Sequence, residues 1–161
     1  MQDFGLLDYL QFDGYAYRLV PILTPYRSSW DIGRIDTDRT YDLLMNTFRY
    51  GNMADEDVLA DHFTQYNLSA SHAREAFART AKELARKGEK QKALDLLDRG
   101  LEVLPSPKLR YSEANTVPFI EAYYILEEWE KGDALMLDYA NTLKEYIEYY
   151  LQFDGAQAQM V

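Results

Sequence analysis

Asp31, Asp36, Asp38 and Asp42 stand close together, before and within one predicted helix start. Asp36–Thr37–Asp38 has the form acid–x–acid, which in some sugar-transfer enzymes holds a divalent metal and a nucleotide sugar. There the motif follows a strand of an α/β sheet, and no such sheet is predicted here. Asp and Thr ahead of a helix are also what capping demands, because a side-chain oxygen accepts from an orphan amide and a negative charge suits that end of the dipole. A calcium loop would need oxygen ligands spaced over about twelve residues, and that spacing is absent. His62 and His72 lack a cysteine or second histidine at ligand spacing, so a structural zinc site is not expected. Glu127 and Glu128 lie on charged turn sequence, without the apolar surroundings that acid catalysis exploits. There is no phosphate-cradling glycine loop and no GxSxG elbow. The residues therefore predict no catalytic group, metal or cofactor. The expected role is non-catalytic recognition of a protein, peptide or glycan, or scaffolding; metal-dependent sugar transfer through Asp36, Asp38 and Asp42 and a purely structural or dimerising tail are the alternatives.

Binding chemistry is the better lead. Tyr123, Tyr124, Trp129, Tyr139, Tyr146, Tyr149 and Tyr150 crowd the last two predicted helices and fall on more than one face. Such an excess lines a groove for a peptide or glycan, covers a partner surface, or buries against the amino-terminal arm. The candidate binding surface is Trp30, Tyr123, Tyr124, Trp129, Tyr139 and Tyr146, with Trp30 and Trp129 the first places to look for an exposed patch.

The element that positions these groups is the stretch from Arg74 to Pro105. It predicts two helices joined by a tight turn at Gly88. Phe77, Ala81, Leu84 and Ala85 share one face of the first, and Ala93, Leu96, Leu97 and Leu101 one face of the second, at spacings of three and four. Counted from Arg74, the pattern is that of a tetratricopeptide-type repeat. Ala81 and Ala93 stand where helices approach, Phe77, Leu84 and Leu97 fill around them, and Pro105 terminates; Gly100 replaces the usual Ala. A second copy is predicted at an offset of 41, the step from Ala81 to Ala122. The same offset relates Leu84 to Ile125 and Ala93 to Ala134. The extra length falls in the connection after Pro105. Pro118 is placed in the first turn of the third helix, where its missing amide hydrogen costs nothing. That helix is read to about Glu128. The last helix runs from near Asp133 to Phe153, with Leu137, Ala140, Leu143, Ile147 and Leu151 inward.

Ahead of the repeats, a short helix is expected across Leu6–Phe12, then an extended piece after Gly14. Together they make a buried, irregular aromatic arm and not a regular sheet. Asp36 or Thr37 caps a helix to about Arg49 with Tyr41, Leu44, Met45 and Phe48 inward. Val58, Leu59 and Phe63 are read as inward in the segment that follows, and Ser69 or Ser71 as the cap of the first repeat helix. The prediction is an all-α, repeat-like fold with an irregular aromatic cap. It forms a single domain over residues 1–161, with sub-regions 1–68, 71–105 and 115–153. Two repeats are too few for a free solenoid, so the cap must share their core.

The formal charge is -10, and 47% of residues are hydrophobic, which excludes wholesale disorder. Residues 1–70 carry eleven acids and five bases, 71–110 six and ten, and 111–161 ten and two. A basic hairpin thus sits between acidic flanks. No dense basic stripe or recognised motif points to nucleic acid. The absence of cysteine excludes disulfides and thiol chemistry. No apolar stretch is long enough to span a membrane, and Met1 is not followed by a basic leader region.

Four stretches carry a family resemblance: GYAYRLVPI at 14–22, DTDRTYDLLMNTFRYGNM at 36–53, KALDLLDRGLEVLP at 92–105 and VPFIEAYY at 117–124. Together they resemble the soluble carboxyl-terminal region of a family of large bacterial membrane proteins. The amino-terminal halves of that family resemble multi-pass glycosyltransferases of the protein O-mannosyltransferase kind. The resemblance implies a tail facing the periplasm on the inner membrane. Its partners would be the membrane-embedded part of the same polypeptide and envelope proteins, peptides or glycans. The catalytic acids of such proteins lie in the membrane part, so no active-site residue transfers. Where the family has an asparagine- and arginine-bearing run, this chain reads QYNLSASHAREAF, which leaves Asn67 and Arg74 without an assigned role.

Overall fold

The computed structural model describes residues 5–24, 32–59, 61, 70–105 and 113–153. Its main body is α-helical and built from two antiparallel hairpins. Helices α2 (Ala70–Arg86) and α3 (Lys90–Val103) form the first. Helices α4 (Glu113–Ile125) and α5 (Trp129–Tyr150) form the second. Helix α2 packs on both α3 and α4, and α4 on α5.

The amino-terminal arm differs from the irregular coil expected. A 3-10 turn, Leu7–Tyr9, leads into β1 (Leu10–Asp13), which pairs antiparallel with β2 (Ala16–Leu19). On its other edge β1 pairs parallel with β3 (Arg34–Ile35). The expected helix over Leu6–Phe12 therefore gives way to a strand. The cause is Gly14, which takes φ +70 as the first of two turn residues, the place where a tight hairpin connection needs glycine. Nor is the arm buried throughout: β2 is exposed along its length, while Gln11, Phe12 and Asp13 of β1 are buried. Buried Thr24 holds the edge, its hydroxyl donating to the Leu10 carbonyl (2.6 Å) and its amide to the Asp8 carbonyl (2.6 Å).

Helix α1 (Thr37–Asp42) begins under an Asp36 cap, whose carboxylate accepts from the Arg39 amide at 3.2 Å. It passes into a π turn, Leu43–Thr47, closed by the Phe48 amide on the Leu43 carbonyl at 2.8 Å. This one wide turn replaces the straight helix expected to Arg49. Leu44 is fully buried, and the Tyr50 hydroxyl donates to its carbonyl. Leu59 lies in the open, contrary to the inward placement, because the segment from Gly51 is turn and no helix directs it to the core. Trp30, Asp31, His62, Phe63 and Asn67 lie outside the described residues, as do the side chains of Ser69, Ser71 and His72.

Arg79 of α2 fastens the arm to the hairpins. Its guanidinium donates to the Ile32 carbonyl (2.9 Å) and the Tyr17 hydroxyl (3.1 Å) and lies 4.7 Å over the Phe12 ring. Arg74, fully buried, donates to the Leu104 carbonyl at 3.1 Å and lies over Phe119. Two long cationic side chains, five residues apart on α2, thus border the same core, with aromatic faces supplying part of the lost solvation.

The two hairpins turn alike. In the first, the Gly88 amide donates to the Ala85 carbonyl and the Glu89 amide to that of Leu84; Gly88 has φ +81. In the second, the Glu127 amide donates to Tyr124 and the Glu128 amide to Tyr123; Glu127 has φ +61. Both are Schellman closures with a left-handed residue after the helix. They fix the internal offset at 39 residues, the step from Glu89 to Glu128, and not at 41. Gly132 thereby takes the place of Ala93, and Leu135 that of Leu96; all four are buried.

The two-residue slip has a large consequence. Two residues rotate a helix by about 200°, so positions read as inward at the wrong offset face outward. Ala134 and Ile125 are both exposed, correcting their assignment as packing residues. Leu137, Ala140, Leu143, Ile147 and Leu151, expected to face inward, are exposed as well. Phe77, Ala81, Leu84, Ala93, Leu97 and Ala122 are fully buried. Pro118 lies inside α4, not in its first turn.

Candidate interaction surface

Helix α4 shows what the first hairpin is shaped to receive. Phe119 lies against Gly100, where an added Cβ would come within 2.9 Å of both the Phe119 and Phe77 rings. The Tyr123 hydroxyl donates to Asp98 Oδ1 at 3.0 Å. Lys131 of α5 reaches the same carboxylate at 2.7 and 2.8 Å and lies over the Tyr123 ring. Burial, and then the adjoining Asp98 charge, push the Tyr123 hydroxyl well above the ordinary tyrosine range. Tyr123 is thus a core residue, which removes it from the candidate binding surface. A large apolar ring beside a close-approaching glycine belongs in a core, and here its hydroxyl has found a partner.

Tyr124 is a wedge between the helices of the second hairpin. Its ring covers Gly132, where a Cβ would lie 2.5 Å from it. Its hydroxyl donates to Asp133 at 2.8 Å, and that bond is the main cause of its raised pKa. The Trp129 ring stands 5.7 Å from Tyr124, and Trp129 itself is 58% exposed. Tyr139 is half-buried and packs against the core, and Tyr146 is half-buried further along α5. Among the described candidates, Trp129 is the one open to solvent.

The residues that do form an exposed apolar stripe were not among those candidates. Met136, Leu143, Ile147 and Tyr150 follow Trp129 along one side of α5 at steps of seven, seven, four and three. That spacing keeps them within a narrow sector of the helix. The signal that finds them is the 39-residue offset. Met136 stands where Leu97 stands in the first hairpin, and Leu143 where Leu104 stands. Leu97 and Leu104 are 0% and 4% exposed in the hairpin over which α4 lies; Met136 and Leu143 are 42% and 38% exposed. The main helical neighbour of α5 among the described residues is α4. The second hairpin thus presents, uncovered, the counterpart of a surface that is covered in the first.

Asp36, Asp38 and Asp42 do not converge. Asp36 accepts from the Arg39 amide and from Gln11 Nε2, Asp38 faces Lys92 at 3.8 Å, and Asp42 accepts from Asn46 at 2.9 Å. Among the described residues no cluster of three or more His, Cys, Asp or Glu is arranged to hold a metal ion. No helix among them is long and apolar enough to cross a membrane. Compared with known proteins, the chain matches no family model, no curated protein and no solved structure.

Proposed function

We propose that this chain is a non-catalytic recognition or scaffolding unit built from two tetratricopeptide-like hairpins, and that it binds segments of other proteins. The observation that carries the reading is the exposed stripe of Met136, Leu143, Ile147 and Tyr150 on α5. Terminal units of a stacked array need a polar outer face to stay solvated, and this face is apolar. Its aliphatic character suits a protein segment more than a glycan, which would draw on stacked rings such as Tyr124 and Trp129 together with polar groups. The repeated Schellman turns, the close approach at Gly132 and the full burial of its counterpart Ala93 support the repeat assignment. The family resemblance adds a setting, a periplasmic tail beside a membrane-embedded sugar-transfer module. Binding of the chain to arrayed peptides and arrayed glycans tests the reading. Retention of peptides, weakened by Leu143→Glu, is the expected result. Retention of glycans alone, or of neither class, contradicts it.

A further inference from the structure

Two stretches of this chain read YLQFDG, Tyr9–Gly14 and Tyr150–Gly155. Six consecutive identities exceed what composition alone supplies in 161 residues. The first copy is a strand with defined neighbours. Its Tyr9 ends a 3-10 turn, and Leu10–Asp13 is β1, paired in order with Leu19, Arg18, Tyr17 and Ala16 of β2. The Phe12 and Tyr17 rings meet at 5.3 Å, and Asp13 holds Arg18 at 2.9 Å. The second copy also stands at a helix end: Tyr150 closes α5 and Leu151 follows. Leu151 is 76% exposed. The hydrogen bonds donated by Leu151, Gln152 and Phe153 all run back into the end of α5, the farthest acceptor being Ile147. Asp154 and Gly155 lie outside the described residues and enter by sequence alone.

Strand β2 offers this sequence a second seat. The Val20 amide donates to the Tyr9 carbonyl at 2.8 Å. Alternation along an antiparallel ladder then turns the backbone polar groups of Arg18 toward β1 and those of Tyr17 and Leu19 away from it. The sheet order is β2-β1-β3, so among the described residues no strand takes that outer edge. Tyr15, Tyr17 and Leu19 are 42%, 44% and 58% exposed beside it. An open edge with apolar side chains is a template for another strand. Its one cation, Arg18, shares the Asp13 carboxylate with Arg39 (3.2 Å), so a further acid is favourable there.

We propose that Leu151–Asp154 of a second copy of this chain adds to the open edge of β2, antiparallel and in the register that β1 uses on the other edge. Phe153 then lies opposite Tyr17, Leu151 lies opposite Leu19, and Asp154 reaches Arg18, the same pairings that β1 makes with β2. The donor is another molecule because α2 and α4 stand between the arm and α5 of one chain. Arg79 ties β2 to α2, α2 packs on α4, and α4 packs on α5. Main-chain bonds supply the affinity of such strand addition, and the side-chain pairs its register. Two chains that exchange tails reciprocally close a twofold dimer. The association uses neither Met136 nor Leu143 and is independent of the recognition reading.

Sedimentation of the whole chain over the micromolar to millimolar range is the test, and reversible self-association is expected. Phe153→Glu on the donor and Leu19→Pro on the acceptor should each weaken it by about tenfold or more. The proline removes an outward amide and spares the ladder to β1, which unchanged circular dichroism checks. Each variant keeps the surface the other lacks, so an equimolar mixture should associate although each alone is impaired. Leu143→Glu, with the same added charge as Phe153→Glu, should associate like the native chain. Hydrogen exchange should show the Tyr17 and Leu19 amides gaining protection with concentration in the native chain and not in Phe153→Glu. That readout decides the matter should the proline disturb the sheet. A native chain that stays monomeric, an association that survives Phe153→Glu, or one that Leu143→Glu abolishes overturns the proposal.

Discussion

Leu97 and Met136 hold the same place in two successive hairpins, one at 0% exposure and the other at 42%. The backbone around them repeats to the hydrogen bond, since each follows a turn closed by amides at equivalent positions, Glu89 and Glu128. What differs is the covering helix: α4 packs on the first hairpin, and among the described residues no helix lies over the second. The account of this protein follows from that difference.

Stability should respond unequally at the paired positions. Leu97→Ala removes sealed aliphatic volume and should cost about 2–5 kcal/mol. Met136→Ala, half in water already, should cost under about 1 kcal/mol. Urea unfolding of the two variants provides the comparison, and equal losses would mean that the second hairpin is covered in solution.

The turns offer a reciprocal pair of changes. Glu127 adopts φ +61, a left-handed conformation that costs a residue with a Cβ about 1 kcal/mol or more. Glu127→Gly should therefore raise stability by about 0.5–1 kcal/mol, and Gly88→Ala should lower it by about 1 kcal/mol. Thermal melts of both variants read the signs, and destabilisation by Glu127→Gly would contradict the shared turn geometry.

Close approach at Gly100 is testable in the same way. A methyl there meets the Phe77 and Phe119 rings at 2.9 Å, so Gly100→Ala should cost about 1–3 kcal/mol. Combining it with Phe119→Leu should recover part of the loss beyond additivity, because the second change vacates the space the methyl needs.

Tyr123 predicts a pH dependence. Its hydroxyl is held neutral by burial and by the Asp98 charge, so its folded pKa is raised above the ordinary value near 10. Below that value the folded and unfolded chains hold the same proton and the contribution is fully present. Above it the unfolded chain loses the proton first, and stability falls as the pH rises toward the folded pKa. Tyr15, raised chiefly by burial, acts in the same direction. Tyr123→Phe should cost about 1 kcal/mol at neutral pH and flatten part of the alkaline decline. Denaturant titrations at a series of alkaline pH values provide the check, and an unchanged slope would contradict the burial of this hydroxyl.

The first hairpin was legible from sequence because its punctuation is conventional: glycine at the left-handed turn position, alanine at the close approach and leucines at helical spacing. The second was misplaced by two residues for an identifiable reason. Its left-handed turn residue is Glu127, which gives no turn signal, and its close-approach residue is Gly132, which an alanine-based alignment passes over for Ala134. The strand after Gly14 was visible as alternation, but the sheet was not. Strand β3 spans only Arg34 and Ile35 and has no periodicity to read, and β1 resembles the start of a short helix. The apolar stripe on α5 was present in the sequence as Met136, Leu143, Ile147 and Tyr150. Only the orientation of the helix, set by how Gly132 and Leu135 seat against α4, shows that they face water.

The absence of native cysteine makes the central claim directly measurable. Single cysteines placed by Leu97→Cys, Leu104→Cys, Met136→Cys and Leu143→Cys can be titrated with a thiol reagent under native conditions. The account predicts rapid labelling at 136 and 143, and protection at 97 and 104 that is lost only on unfolding. Protection at 136 and 143 equal to that at 97 and 104 would contradict an open second hairpin.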